Sequence, residues 1–394
     1  MFPIQGKVQH YAWGGYEFIP ELLGISNEEK RPFAEYWMGI HHQAVATVRL
    51  SENAYTGLEN LIRSEPRRYL GKRILPNFHD LPFLFKVLDV KDMLSIQVHP
   101  GKEEAEAGFD AENAKGIAHD APERNYKDKN HKPEMALALG EFWLLHGFRK
   151  EDDLIQVLEK NEILHILIPV FENSGYRGMY KYVMELSQEK IDHWLAPLAA
   201  RILPLYAQGK LTKTDPDFWA ARAMITYPDK MDRGIFSIYF FNLVKLEAGQ
   251  AIYQGAGLPH AYLEGSNIEL MSNSDNVLRG GLTPKHVDVD ELMKHIAFEK
   301  VIPEIMEGEL HGAERKYVCP IPDFSMSTIN LASGDTFTYT VDGPEILLVL
   351  EGEGKAESIQ VHSLKKGDTF FASDGEQLTI STNSALKLVK AWVP

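Results

Sequence analysis

The run Ser95-Ile96-Gln97-Val98-His99-Pro100 sets two metal-capable side chains one residue apart. In an extended stretch alternate side chains share a face, so Gln97 and His99 project together while Ile96 and Val98 point the other way. Two more residues beside turn signals can complete a ligand set. They are Glu134, in Pro133-Glu134-Met135, and His260, in Gly257-Leu258-Pro259-His260-Ala261-Tyr262. Glycines ahead of His260 permit close backbone approach and fix where the imidazole points. Nitrogen and oxygen donors without a thiolate suit zinc, and equally iron(II), manganese or cobalt. A cation so held polarises oxygen atoms of a bound molecule. The same words recur as Ser358-Ile359-Gln360-Val361-His362, but no histidine follows His362. The second copy is therefore read as a decoy.

These side chains need strands to hold them. Glu35–Gly39, Ala44–Leu50, Phe83–Val90, Glu134–Leu139 and Phe142–Phe148 read as strands, with helix-type spacing from Leu58 to Leu70 and a charged loop from Gly101 to Lys132. Near Lys150 the period changes. Asp152 is a cap candidate ahead of Leu154, Val157 and Leu158, and Ile191, Trp194, Leu195 and Leu198 fall at helical spacing. Strands resume at Ile235, and a second all-β run with turn signals at Gly334, Gly352 and Gly367 starts near Pro320. The expected fold is mainly β, with two antiparallel β-barrels and an inserted α-helical domain. Its parts are a metal-binding domain of residues 1–149 plus 231–319, a helical insertion at 150–230, and a C-terminal barrel without metal at 320–394.

At 394 residues the chain is too long for one ordinary core. Its net charge of −15 argues against nucleic acid as a partner, while leaving room for a local basic pocket that takes one phosphate. The single cysteine, Cys319, excludes an intramolecular disulfide framework and a thiolate zinc site. No stretch is long and apolar enough to span a bilayer, and the N-terminus does not read as a secretory signal. A cytoplasmic protein, monomeric or weakly homo-oligomeric, is expected, with no membrane partner.

The run Tyr126-Lys127-Asp128-Lys129-Asn130-His131-Lys132-Pro133-Glu134-Met135 closely resembles a signature of the type I mannose-6-phosphate isomerases. So do His260-Ala261-Tyr262-Leu263-Glu264-Gly265 and Ser274-Asp275-Asn276-Val277-Leu278-Arg279-Gly280-Gly281-Leu282-Thr283-Pro284-Lys285. The likeness runs from Trp13-Gly14 to the end of the chain. It implies a cupin (jelly-roll) architecture with a helical insertion, and interconversion of mannose 6-phosphate and fructose 6-phosphate. Carried over position by position, it also implies one zinc ion per chain on Gln97, His99, Glu134 and His260, and Arg279 as the catalytic arginine.

Residue chemistry adds candidates. An aldose–ketose isomerase must move a proton between C1 and C2, so it needs a positioned base. Glu269, Lys86, Lys132 and His131 are the rivals; Glu269 could also orient a ligand, and the lysines could lose their charge if buried. Arg279 and Lys285 suit a phosphate or a developing oxyanion. Trp13, Tyr262, Ser95 and Asp275 are candidates for sugar contact. Two other readings stay open: a metal-containing cupin that binds a phosphosugar without turning it over, and an iron(II) oxygenase, which the fourth ligand Gln97 makes less attractive.

Overall fold

The computed structural model describes residues 1–228 and 230–394. The fold is sheet-rich, built from a nine-stranded, a ten-stranded and a four-stranded sheet with a block of helices between Glu151 and Phe240.

One strand, Phe83–Val90, shows how the site's scaffold is made. Phe83, Phe85 and Val87 enter a core shared with Tyr36, Met38, Met135, Leu137, Ile268 and Leu270. The alternate residues of the same strands therefore face the opposite way: Glu35 and Trp37, Lys86 and Leu88, Glu134 and Ala136, Asn267 and Glu269. Registers place Lys86 opposite both Trp37 and Glu269. Polar residues are thus gathered on one sheet face whose reverse is fully apolar.

The long strand His260–Ser272 serves two neighbourhoods. Its first residues pair with Gln97 and with His146, and its last with Phe83–Val90 and Glu134–Ala138. Even-numbered residues face the site at His260 and Tyr262, odd-numbered ones at Asn267 and Glu269. A register shift between Tyr262 and Glu264 supplies the change of parity.

Several expectations are corrected. Ile235–Phe240 is not strand: Gly234–Phe240 is a helix buried on every side, and the strand begins at Phe241. A short apolar run has no period that separates a buried helix from a buried strand. The charged loop contains a helix, Lys102–Ala114, with Glu103 and Glu104 favourably placed in its first turn. Only Ala105 and Glu112 are buried on it, and Gly108 lies so close to the Tyr126 ring that a Cβ would overlap it. Leu58–Leu70 is broken at Pro66 into short helices, Leu58–Ser64 and Pro66–Tyr69. Asp152 sits in the first turn of helix Glu151–Glu159 rather than capping it. Only Gln97–Val98 of the 94–99 run is paired as strand, and the Ala44–Leu50 strand starts at Thr47.

Strands Phe2–Gln5, Thr47–Ser51 and Ala54–Gly57 continue the sheet made by the strands after Glu309. In that sheet Ile346, Leu348 and Leu350 of strand Glu345–Glu351 enter one core, Leu347 and Val349 another. Burial on both faces explains its unbroken apolar run. Helices Leu167–Met184, Gln188–Ala207 and Pro216–Thr226 cover the back of the Gln97 region, where Ile96, Val98, Leu145 and Phe148 join their core. The Gly280-Gly281 pair admits this contact. Gly281 has φ +120 and a Cβ there would lie 2.6 Å from the backbone of Gly234.

Candidate metal centre

His99, Glu134 and His260 are all buried, and one donor atom from each lies within 4.8 Å of the others. Nε2 of His260 is 3.2 Å from Glu134 Oε2, and Nε2 of His99 is 3.3 Å from Oε1. Both outer ring nitrogens are fixed by backbone: His99 Nδ1 faces the Asn276 carbonyl at 2.8 Å and His260 Nδ1 that of Leu258 at 2.9 Å. Donation to these carbonyls puts the protons on Nδ1 and leaves both Nε2 lone pairs facing Glu134. His99 Nε2 is buried without a hydrogen-bond partner among the described residues, which leaves it available to a ligand. Gln97 lines the same cavity. The donor set therefore fits a zinc-type cation.

Charge is arranged to match. Burial, helped by the Lys132 ammonium, lowers the His99 pKa to about 4, so the ring is neutral and able to ligate at physiological pH. Burial would raise Glu134, but Lys132 at 3.0 Å and the two imidazoles hold it well below the usual carboxylate range.

The cavity measures about 60 Å³ and is walled by Glu35, Lys86, Gln97, Lys132, Glu134, His260, Tyr262 and Glu269, with apolar contributions from Leu88, Leu94 and Ala261. Lys86 Nζ bonds Glu269 Oε2 at 2.8 Å, lies 3.5 Å from Glu35, and sits over the Trp37 ring at 4.9 Å. Burial pulls the Lys86 pKa down, but Glu269 and Glu35 outweigh it and drive the net shift up. Lys86 is therefore a fixed cation, which corrects the expectation that burial could free it to act as a base. Burial raises Glu269 despite Lys86, so this carboxyl holds a proton more readily than an ordinary one. Tyr262, pushed up by burial and by the charges of Glu269 and Glu134, stays protonated and bonds Gln254 at 3.3 Å.

The other candidates lie outside this wall. His131 faces Asp323 at 2.9 Å, so its imidazole serves the carboxylate that also accepts from Ser272. Arg279, paired in register with Gln97, is half-buried and has no carboxylate within ion-pair distance among the described residues. Lys285 is exposed and close enough for Arg279 to lower its pKa, after burial, and Arg279 likewise adds to the lowering of Lys127. Three cations thus share a region in which no described acid neutralises Arg279. Trp13, like Leu94, packs against the apolar cluster that contains Tyr262, and it stacks on Tyr11. Ser95 is half-buried on the segment that leads into Gln97. Asp275 faces His41 at 3.2 Å and His42 at 3.4 Å.

Sequence reading missed Glu35, although an acid alternating with Trp37 inside an apolar strand was a usable signal. It also missed Asn276, whose carbonyl orients His99 while its amide Nδ2 donates to Asp128 and Asn130 and its Oδ1 accepts from the Lys127 backbone. In the second Ser-Ile-Gln-Val-His copy, Ile359 is 88% exposed, whereas Ile96 is wholly buried. His362 lines a groove with Met1, Arg49 and Glu376, remote in the fold from Glu134.

The sequence profile of the type I phosphomannose isomerase catalytic domain matches residues 1–151. The mannose-6-phosphate isomerase of Escherichia coli K12 is 36% identical over 97% of each chain, and that of Bos taurus 32% identical over 96% of this chain and 95% of the other. A crystal structure of mannose 6-phosphate isomerase from Salmonella typhimurium, bound to its substrate and to zinc, superposes with a TM-score of 0.89 at 33% identity. It covers 100% of this chain and 99% of that one. Similar from end to end in both sequence and backbone, the chain belongs to the type I phosphomannose isomerase family.

Proposed function

We propose that this chain interconverts mannose 6-phosphate and fructose 6-phosphate by moving a proton between C1 and C2 of the opened sugar. One zinc ion would be held by Gln97, His99, Glu134 and His260. The observation that carries this reading is the convergence of three buried donors within 4.8 Å, two of which, Glu134 and His260, stand on the wall of a cavity that also contains Glu269, Lys86 and Lys132. A bound zinc supplies Lewis acidity toward the sugar oxygens.

The chain's own groups supply the rest. Glu269 is assigned as the proton carrier, because it reaches the cavity and its raised pKa suits a group that must both take and return a proton. Lys86 positions it by a 2.8 Å bond. Lys132 keeps Glu134 ionised and offers a cation to sugar oxygens. Arg279, with Lys285, is assigned to the phosphate, in keeping with its lack of an acidic partner among the described residues. Tyr262 walls the sugar, and Trp13, Ser95 and Asp275 are assigned to its rim. Tyr11, whose pKa burial raises, feels the charges of Glu35, Lys86 and Asp275 together, so Asp275 is within electrostatic reach of the cavity.

For the architecture we propose a cupin-type catalytic domain from 1–149 and 231–319, a helical insertion at 150–230, and a cupin-like domain at 320–394 that carries no metal. Helix Gly234–Phe240 packs with the helical block. No helix among the described residues is long and apolar enough to cross a membrane; a cytoplasmic setting is part of the same proposal.

The test is turnover of mannose 6-phosphate by the purified protein before chelation, after chelation, and with zinc restored. Conversion that vanishes with the metal and returns with zinc is expected. Full zinc occupancy without conversion would overturn isomerase activity and favour a sugar-binding protein of the same fold.

A further inference from the structure

A second group of metal-capable side chains lies across the Trp37 indole from Lys86. His41 and His42 occupy the turn after strand Glu35–Gly39, and their Nε2 atoms stand 3.2 and 3.4 Å from the two carboxylate oxygens of Asp275. All three donor atoms fall within 4.8 Å of one another. The imidazole rings sit 4.4 Å apart, and His41 meets the edge of Trp37, the ring that also carries Lys86 on its face. We propose that His41, His42 and Asp275 form a second divalent transition-metal site, weaker than the first, at the rim of the cavity.

The spacing supports this. Zinc bonds of about 2.0–2.2 Å to nitrogen and oxygen put neighbouring tetrahedral ligands about 3.3–3.5 Å apart. The His41–Asp275 and His42–Asp275 separations are close to that length and end on the two different oxygens of one carboxylate, the same arrangement that His99 and His260 make with Glu134. Two imidazoles and one carboxylate select zinc, cobalt or nickel over magnesium or calcium. Gln43, whose side-chain amide is 3.4 Å from Asp275, borders the same space, and the exposure of His42 leaves open coordination positions to solvent.

Weakness follows from the same geometry. His41 Nδ1 faces the backbone N–H of Gln43 at 3.3 Å, so ligation through Nε2, which places the ring proton on Nδ1, requires the turn to shift. The resident histidines need no such change, since their Nδ1 atoms already meet carbonyls. Lys132 adds a competing positive charge felt at Asp275. The second ion therefore exchanges in free metal where the first stays bound. It also draws on the carboxylate assigned above to the sugar rim.

The test reads metal, not turnover, so it stands apart from the proposed activity. The full-length protein is loaded with one zinc equivalent, freed of excess, and titrated with cobalt(II) while its visible d–d absorption and dialysed metal content are followed. Wild type is expected to take one further saturable cobalt, and His42→Ala or His42→Gln to take none while keeping the zinc. His99→Ala should retain the cobalt site, and adding His42→Ala to it should remove that site. No second saturable ion in wild type, or one that persists in both His42 variants, overturns the proposal; persistence would mark adventitious binding elsewhere.

Discussion

Replacing Lys86 by Met keeps most of the side chain's volume and removes its charge. Among Glu35, Lys86 and Glu269 the buried charge then goes from one cation against two carboxylates to two carboxylates alone. Breaking a buried pair by deleting one partner costs about 3–5 kcal/mol. The contact over Trp37 at 4.9 Å adds about 2 kcal/mol when desolvated. Part of this loss is avoidable, because a stranded carboxyl can take up a proton instead. The sign follows from Glu269, whose pKa in the folded chain already lies above its ordinary value. Without Lys86 it rises further. A carboxyl raised in the fold favours the folded state below its unfolded pKa, about 4.3, and progressively less as pH climbs through the folded pKa. Lys86→Met should therefore be most destabilised near pH 8 and recover toward pH 5.

The assay is urea unfolding at both pH values for wild type, Lys86→Met, Glu269→Gln and the double variant. The double variant no longer strands Glu269, so a coupling of about 2–3 kcal/mol is expected at pH 8, shrinking at pH 5. Additive losses at pH 8, or a Lys86→Met variant equally destabilised at both pH values, would refute the claim that Lys86 is a fixed cation neutralising Glu269.

Glu269→Gln should lower kcat for mannose 6-phosphate isomerisation by about 10²–10⁴-fold. Zinc content should stay at one per chain, since Glu269 is no ligand; loss of zinc would make it a supporting residue instead. His146, buried and depressed to about 3 by burial and then by the nearby His260, must stay neutral in the fold. Its unfolded pKa is near 6.5, so its contribution is complete above that value and is lost as pH falls toward about 3, amounting to at most about 5 kcal/mol. In zinc-saturated protein, His146→Leu should flatten the fall of the thermal midpoint between pH 6.5 and 4; an unchanged slope would place the acid sensitivity elsewhere.

Strand periodicity carried far more of the site than helix periodicity did. Alternation alone set Gln97 opposite Ile96 and Val98, and Asn267 and Glu269 opposite Ile268 and Leu270, because a sheet buried on one face fixes register wherever an apolar set must be hidden. It failed where that pressure is absent. Gly234–Phe240 is buried all round, so no face was marked, and Lys102–Ala114 is almost wholly exposed, so its helix rests on charge placement and the close seat of Gly108 under Tyr126. The parity change at Tyr262/Glu264 was equally silent, since a bulge leaves no compositional trace.

The two long signature runs were legible as words but not as a joint object. Asp128 accepts from Ser274, from the backbone of Asp275 and from Asn130. Asn276 returns bonds to Asp128 and Asn130 and presents its own carbonyl to His99. The 126–135 run and the 274–285 run are therefore one knot. The knot sets the direction of a metal ligand at one end, leads into Glu134 along one strand and into Arg279 along the other. A substitution at Asp128 or Asn276 would remove none of the candidate metal donors His99, Glu134 and His260, yet would loosen both loops together. Buried polar hubs of this kind are worth more than their separate bonds, since each unmet partner bears the full cost of desolvation. Residue types in both runs are thus set by the knot as well as by the chemistry, which is why the spacing between them along the chain says nothing of their adjacency in space.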